Sequence, residues 1–429
     1  MGGNGHIIPN TPIAVDLWSP TKHPEAKIFF LSHFHSDHIV GLTSSWSFPI
    51  YTSEITAKLL VGKLKINSTL IRELELNKDH LIPLDDEKKE MLTVRLINAN
   101  HCPGSVMFLF SGYFGNVLYT GDFRYSSNLL EGITLPIIDV LYLDNTYCSS
   151  SCEFYSREYA VQTLIQRLHN CLKKSDRIMI GIDNLGKEEV LLKIYEETEC
   201  KIYVDDNLMK ILEILEISHV ATTNPKSTKL HAVPTVKING TNLMKWNKCE
   251  VTCAILPTAR YTGLGFIPFS SYSNIHIIPY SNHSSFRELK EFVKKVHPCH
   301  IEPIIKKDAQ GILGTDISSR ANMDVFTEFI HVFTQKPITI PESVRKFMSK
   351  VISSSEQAER KLSRKRSIDK QRKGSESNST QKSTKRGLKS LHVEQEDGSS
   401  GNVQENWELV CLTATEPPKI IVVDSLETE

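Results

Sequence analysis

Short apolar runs rich in β-branched and aromatic residues dominate the first 145 positions of the chain. Ile13–Val15, Lys27–Leu31, Thr93–Ile97, Val106–Phe110, Val117–Tyr119 and Val140–Leu143 each read as a strand, with Gly, Asn and Pro between them. Gly112-Tyr-Phe-Gly115-Asn116, between two of these runs, predicts a hairpin connection. From Arg157 the period changes. REYAVQTLIQRLHNCLKK is apolar at helical spacing and is followed by the strand-like RIMIGI, a helix from about Lys187, the run KIYV, and a helix around Leu208 to Leu215. That alternation predicts a parallel sheet with crossover helices. Ile275–Ile278 reads as a further strand, Ser284 to Val296 as a helix, and a last strand falls near Ile301. Past about Val351 almost no apolar side chains remain in SSSEQAERKLSRKRSIDKQRKGSESNSTQKSTKRGLKS, which predicts disorder.

With 429 residues, 40% of them hydrophobic and 23% charged, the chain has the length and composition of about two soluble domains. No apolar run reaches the ~18 residues of a membrane span. The opening MGGNGHIIPNTPIAVD lacks the basic and apolar regions of a signal peptide. A formal net charge of zero conceals an asymmetry: residues 359–390 hold 12 Lys and Arg against 3 Asp and Glu, and residues 391–429 hold 1 Lys against 9 Asp and Glu. Nucleic acid would therefore meet a local patch on the folded part rather than a basic protein. Within the basic tract, LSRKRSIDKQRK and STKRGLK read as nuclear-localisation or nucleic-acid-contacting segments. The nine cysteines are scattered and odd in number, which predicts reduced thiols of an intracellular protein rather than a disulfide framework.

Polar chemistry concentrates where the predicted strands end. FFLSHFHSDHIVGL, residues 29–42, sets His33, His35, Asp37 and His38 directly behind an apolar run, and such side chains are rarely buried without partners. In an extended loop, residues two apart project to the same side, so His33 and His35 are placed to grip one cation while Asp37 and His38 turn towards a neighbouring one. His101 follows TVRLINAN, Asp122 follows Tyr119-Thr-Gly121, and His283 sits in PYSNHSS between a strand and a helix. One sheet edge is expected to collect them all. Five imidazoles and two carboxylates suit zinc, with Mn²⁺ or iron as other occupants. Candidates for holding a phosphate lie nearby in the pattern. Gly181-Ile-Asp-Asn-Leu-Gly186-Lys187-Glu188 puts a glycine loop and a lysine at a helix start, where backbone N–H groups favour anions. Ser281, Ser284 and Ser285 flank His283 at another helix start, and Thr258 lies in LPTAR.

HxHxDH, ANHCPGS, YTGDF and a last strand-end histidine together resemble the metallo-β-lactamase superfamily, and LDNT, the Gly186-Lys187-Glu188 stretch and PYSNHSS resemble its β-CASP nucleic-acid-processing branch. Over about residues 6–345, TPIAVDLW, FFLSHFHSDH, NANHCPGSVMFLF, YTGDFRY, LYLDNT and KLHAV are similar to the DNA cross-link repair nucleases. The resemblance implies an α/β fold, a metallo-β-lactamase αββα sandwich interrupted by a β-CASP α/β insert. The sandwich would take residues 1–149 and 273–350, the insert 150–272, and a disordered basic-then-acidic tail 351–429.

The resemblance also implies one or two divalent metal ions. His33, His35, His101 and Asp122 would hold the first, and Asp37, His38, Asp122 and His283 the second, with Asp122 bridging. Two cations about 4 Å apart lower the pKa of a shared water towards ~7. Asp16, Asp144 and His231 match supporting positions, and Asp37, Asp122, Asp144, His231 and His283 form the implied catalytic group. Lys187, Ser281, Ser284 and Thr258 are the implied substrate contacts, with Asp183-Asn184 standing where relatives tend to carry Tyr-Ser.

The implied activity is 5′→3′ exonucleolytic hydrolysis of DNA from 5′-phosphorylated single- or double-stranded ends, with any β-lactamase activity secondary. Its implied setting is the nucleus, in interstrand cross-link repair and at telomeres, as a monomer with no membrane partner. A hairpin-opening β-CASP endonuclease and a catalytically idle repair scaffold are the alternatives. Relatives carry a C-terminal Tyr-x-Leu-x-Pro peptide for a telomere-repeat factor; that sequence does not occur here, so a shelterin or repair partner for the tail rests on the resemblance alone.

Overall fold

Alternation along single strands decides which core each side chain joins. In β3 (Ile28–Phe30), Ile28 and Phe30 share a core with Ile13 and Val15 of β2 (Ile13–Val15), whereas Phe29 and the following Leu31 pack on the opposite side with Trp18, Trp46 and Phe48. These strands belong to a sheet ordered β1 (His6–Ile7), β2, β3, β4 (Ile50–Thr52), β5 (Ile71–Glu73). The structure is a computed structural model that describes residues 5–262, 268–306, 320–331 and 337–350. The tail expected over 351–429 lies outside the described residues.

A second sheet is ordered β17 (Ile301–Pro303), β10 (Val140–Leu143), β9 (Gly115–Tyr119), β8 (Val106–Gly112), β7 (Met91–Asn98), β6 (Asp79–Pro83). Val94, Leu96, Phe108, Phe110 and Tyr119 point from it towards Phe30. Their outward neighbours Leu109, Leu118, Leu141 and Leu143 receive α6 (Phe286–Val296). That helix buries Leu289, Phe292, Val293 and Val296, one stripe at helical spacing, and a capping box between Ser285 and Glu288 starts it. On the far side, α1 (Glu54–Leu59) covers the first sheet through Ala57. The layers therefore run helix, sheet, sheet, helix. The hairpin joining β8 to β9 closes with Gly112 opposite Gly115, whose φ of 91° favours glycine.

The third sheet is parallel throughout, as the alternation of strand and helix predicts. Its order is β13 (Ala221–Thr222), β12 (Ile202–Tyr203), β14 (Leu230–Val233), β11 (Arg177–Gly181), β15 (Thr252–Pro257), β16 (Ile275–Ile278). On one face, Cys253 and Ile255 pack with α2 (Arg157–Leu172), α3 (Glu188–Thr198) and α4 (Asp206–Ile214). On the other, Ala254 and Leu256 meet Leu243 of α5 (Gly240–Asn247). Burial on both faces explains why TCAILP is an unbroken apolar run. The sheet extends past the boundary expected at residue 272, because β16 is its edge strand, paired in parallel with β15.

Cys171, in the last turn of α2, and Cys253, on β15, pair as a disulfide across 82 residues with Cα atoms 6.2 Å apart. This departs from the expected set of reduced thiols. Nothing in the cysteine spacing marks the pair, because the two meet only when α2 packs on β15. Further along, α7 (Glu342–Ser349) returns to the sandwich and inserts Val344 between the sheets. No described helix is long and apolar enough to cross a membrane.

Candidate metal centre

Strand direction gathers the polar residues. β2 runs parallel to β3, β9 runs parallel to β10, and β7 shares the direction of β9 because β8 is antiparallel to both. The chain leaving these strands carries Asp16, His33, His101, Asp122 and Asp144, and β16 leads to His283. Among them, candidate ligand atoms of His33, His35, His101 and Asp122 all lie within 4.8 Å of one another, as do those of Asp37, His38 and Asp122, and those of Asp122, Asp144 and His283. Asp122 belongs to every group. Its Oδ2 is 3.5 Å from His33 Nε2, 3.6 Å from His101 Nε2 and 3.9 Å from His283 Nε2, and its Oδ1 is 3.4 Å from His38 Nε2. Gly121 allows this approach: at its φ of 52° a Cβ would fall 2.9 Å from Ser32 Cβ.

Every imidazole is also held from behind. His33 Nδ1 bonds Ser32 Oγ at 2.9 Å, His35 Nε2 the Leu185 carbonyl at 3.2 Å, and His38 Nδ1 the Asp16 carboxylate at 2.8 Å. His101 Nδ1 bonds the Asn282 carbonyl at 2.9 Å, and His283 Nδ1 bonds Asp144 Oδ2 at 2.8 Å. The second nitrogen of each ring then faces the cluster, an arrangement typical of metal-ligating histidines. His33 Nε2 and His38 Nε2 are buried and make no hydrogen bond among the described residues. A buried polar atom left so costs about 1–3 kcal/mol, and a divalent cation fits both this deficit and the N/O donor set.

Charge follows the same geometry. Burial pushes His33 and His101 well below the ordinary imidazole range and lowers His35, so these rings are neutral at pH 7 and offer lone pairs. At His38 burial is outweighed by Asp122 and Asp16, which raise it well above the ordinary range. At His283 burial is outweighed by Asp144 and Asp122, which raise it to about 9. Burial also opposes ionisation of Asp122, yet His38 and His283 hold its carboxyl well below the usual range. A cation entering the cluster competes with the protons on His38 and His283, so its affinity falls in acid.

The phosphate-contact candidates fare differently. Lys187 is directed inward, donating to Gly181 O at 3.1 Å, Asp183 Oδ2 at 3.2 Å and Thr235 Oγ1 at 3.3 Å. Its charge is therefore matched by Asp183 before any anion arrives. Gly186 N–H is likewise taken, by both carboxylate oxygens of Glu188 at 2.9 and 3.0 Å. Ser281 and Ser284 are buried. Ser281 Oγ donates to His283 O and accepts from His283 N, while Ser284 Oγ donates to Phe123 O and accepts from Tyr125 N. The Ser281 hydroxyl closes the His283 loop on itself, and the Ser284 hydroxyl holds that loop against the Asp122 strand end. Thr258 Oγ1 accepts from Arg260 N, a turn contact.

His231 does not join the cluster. Its Nε2 turns back to Thr228 O at 3.1 Å, its ring lies 4.9 Å from Tyr203, and Arg177 and Glu250 are its charged neighbours. It faces the start of the parallel strands, whereas the cluster lies beyond their C-terminal ends.

One residue missing from the expected set, Arg124, ties the centre together. Buried two residues past Asp122, it donates to Ser281 O, Tyr155 O and the Glu288 carboxylate. Its signal is present in YTGDFRY, a charged residue flanked by aromatics that are themselves buried.

Comparisons with known proteins agree with this geometry. The metallo-beta-lactamase superfamily matches residues 27–150, and the DNA repair metallo-beta-lactamase family matches residues 215–309. The 5′ exonuclease Apollo of Danio rerio is 41% identical over 354 residues, which cover 80% of this chain and 57% of that protein. The 5′ exonuclease Apollo of Gallus gallus is 44% identical over 312 residues, 71% of this chain and 64% of that protein. The chain belongs to the DNA-repair branch of the metallo-β-lactamase superfamily. A more distant member, the DNA cross-link repair 1A protein of Homo sapiens, is 34% identical over 242 residues, 54% of this chain and 22% of that protein. The chain thus spans 57% and 64% of the length of the two Apollo relatives. Family membership accounts for the sandwich and for a donor cluster at its edge.

Proposed function

We propose that the chain is a metal-dependent 5′→3′ DNA exonuclease that hydrolyses phosphodiester bonds from 5′-phosphorylated ends. The observation that carries the reading is the set of inward imidazole nitrogens around Asp122, each ring held from behind. His33, His35, His101 and Asp122 would hold one divalent cation, and Asp37, His38, Asp122 and His283 a second, with zinc the occupant this donor set favours. Bound there, the cations supply an activated water and neutralise charge on the phosphodiester. The chain's own residues keep the geometry: Asp16 orients His38, Asp144 orients His283, and the Leu185 carbonyl orients His35. The third sheet acts as the β-CASP insert, presenting the loops that follow β11 and β15 beside the cluster.

DNA as substrate and a nuclear role in cross-link repair are supported by the names of the relatives. Action at telomere ends, and recruitment of a repair or shelterin partner, belong to the same proposal. A 5′-phosphorylated single strand labelled at its 3′ end tests the activity. Incubated with metal-replete protein, it should shorten stepwise from its 5′ end and release single nucleotides. Internal cuts at a hairpin, or an intact strand, contradict the reading.

A further inference from the structure

The chain leaving β15 emerges between two loops that touch the donor cluster. β11 leads into one, whose Leu185 carbonyl bonds His35 and whose Gly186 carbonyl accepts from Asn282. β16 leads into the other, which carries Asn282 and His283. β15 lies between them, with Ile180 opposite Ile255 on one side and Ile278 opposite Pro257 on the other. Thr258 fixes the turn that follows. Its N–H donates to Ile278 O at 2.9 Å, and its Oγ1 accepts from Arg260 N–H at 3.2 Å. Arg260 is half-buried, and among the described residues its guanidinium has no ion pair or hydrogen bond.

The neighbouring cations are engaged already. Lys187 is held by Asp183, and Arg124 by Glu288. Arg320 donates to Thr146 O and lies 5.9 Å from the centre of the Tyr147 ring, itself 6.1 Å from the His283 ring. The charge of Arg260 is felt by both Lys187 and Tyr147. Burial lowers the Lys187 ammonium, Asp183 resists, and Arg260 adds to the lowering. Burial pushes the Tyr147 phenol up to about 12, against the pull of Arg320 and Arg260. A half-buried guanidinium with its donors uncommitted is open to a ligand, and its fork matches a phosphate through two parallel hydrogen bonds.

We propose that Arg260 binds a phosphate of the DNA strand beside the donor cluster, the contact that sequence pattern assigns to Lys187. The inference rests on the reading of DNA as substrate, and its test separates binding from cleavage. Fluorescence anisotropy of the full-length chain with a phosphorothioate-blocked single strand, labelled at its 3′ end, reads affinity without turnover. Arg260→Ala should weaken binding about tenfold, as expected for one charge-assisted contact. It should also flatten the slope of log affinity against log salt by about 0.7, the share of one single-strand phosphate. Arg260→Lys should restore the slope, and the melting temperature of both variants should match wild type.

Strands ending in 5′-phosphate and 5′-hydroxyl identify which phosphate is held. An equal loss on both assigns an internal phosphate, and a loss confined to the 5′-phosphate strand assigns the terminal one. Wild-type affinity and slope in Arg260→Ala overturn the proposal. An Arg260-dependent slope in a protein that leaves natural DNA uncut overturns the nuclease reading alone, and a wild type with no affinity for either strand overturns both.

Discussion

Asp122→Asn should lower turnover on 5′-phosphorylated DNA by roughly 10³-fold or more, equivalent to the several kcal/mol of charge stabilisation that metal sites supply. The carboxylate faces Nε2 of His33, His38, His101 and His283 at 3.4 to 3.9 Å. An amide keeps its volume and one oxygen but replaces the other with N–H groups, which cannot share a cation. The fold should persist, because these separations are too long for the hydrogen bonds that hold the loops together. Turnover measured beside a thermal melt checks both statements. Full activity in metal-replete buffer contradicts the first, and a lost or strongly lowered melt contradicts the second.

Arg124→Met should instead lower stability. The arginine is 2% exposed and bonds Ser281 O at 2.8 Å, Tyr155 O at 3.1 Å and both Glu288 oxygens at 2.8 and 2.9 Å, with Phe154 beneath it at 5.0 Å. It joins the strand end that bears Asp122, the loop that bears His283 and the start of α6. Methionine fills much of the space but removes the donor to the Ser281 and Tyr155 carbonyls and to Glu288 Oε1, while Glu288 Oε2 keeps the Ser285 N–H. Breaking a buried pair from one side costs about 3–5 kcal/mol, which for a domain of this size is a fall of roughly 10 °C in melting temperature. Differential scanning calorimetry reads it directly, and a change within about 2 °C contradicts the clamp.

These two residues divide what the sequence makes legible from what it does not. His33, His35, Asp37, His38, His101, Asp122 and His283 stand out because each follows an apolar run where a core has no use for it, and parallel strand direction then brings them to one edge. The supporting role of Asp144 is legible for the same reason. Lys187 misleads because its partner Asp183 sits four residues earlier, across a turn rather than on one helix face. Ser281 and Ser284 look like anion-binding hydroxyls, but both are buried: Ser281 Oγ closes the His283 loop on itself, and Ser284 Oγ ties that loop to the Asp122 strand end. His231 fits a motif, yet side-chain direction on β14 is fixed by packing against Tyr203. Arg124 and Arg260 are missed because their importance depends on which strand ends lie side by side, and the Cys171–Cys253 pair because it depends on which helix covers which strand.

The most direct measurement of the donor cluster is metal content per chain, by elemental analysis of protein equilibrated with zinc and freed of excess. Wild type should retain about two equivalents, His38→Ala fewer than wild type, and Asp122→Asn the fewest. Equal metal content in all three proteins would contradict a pair of cations held around Asp122.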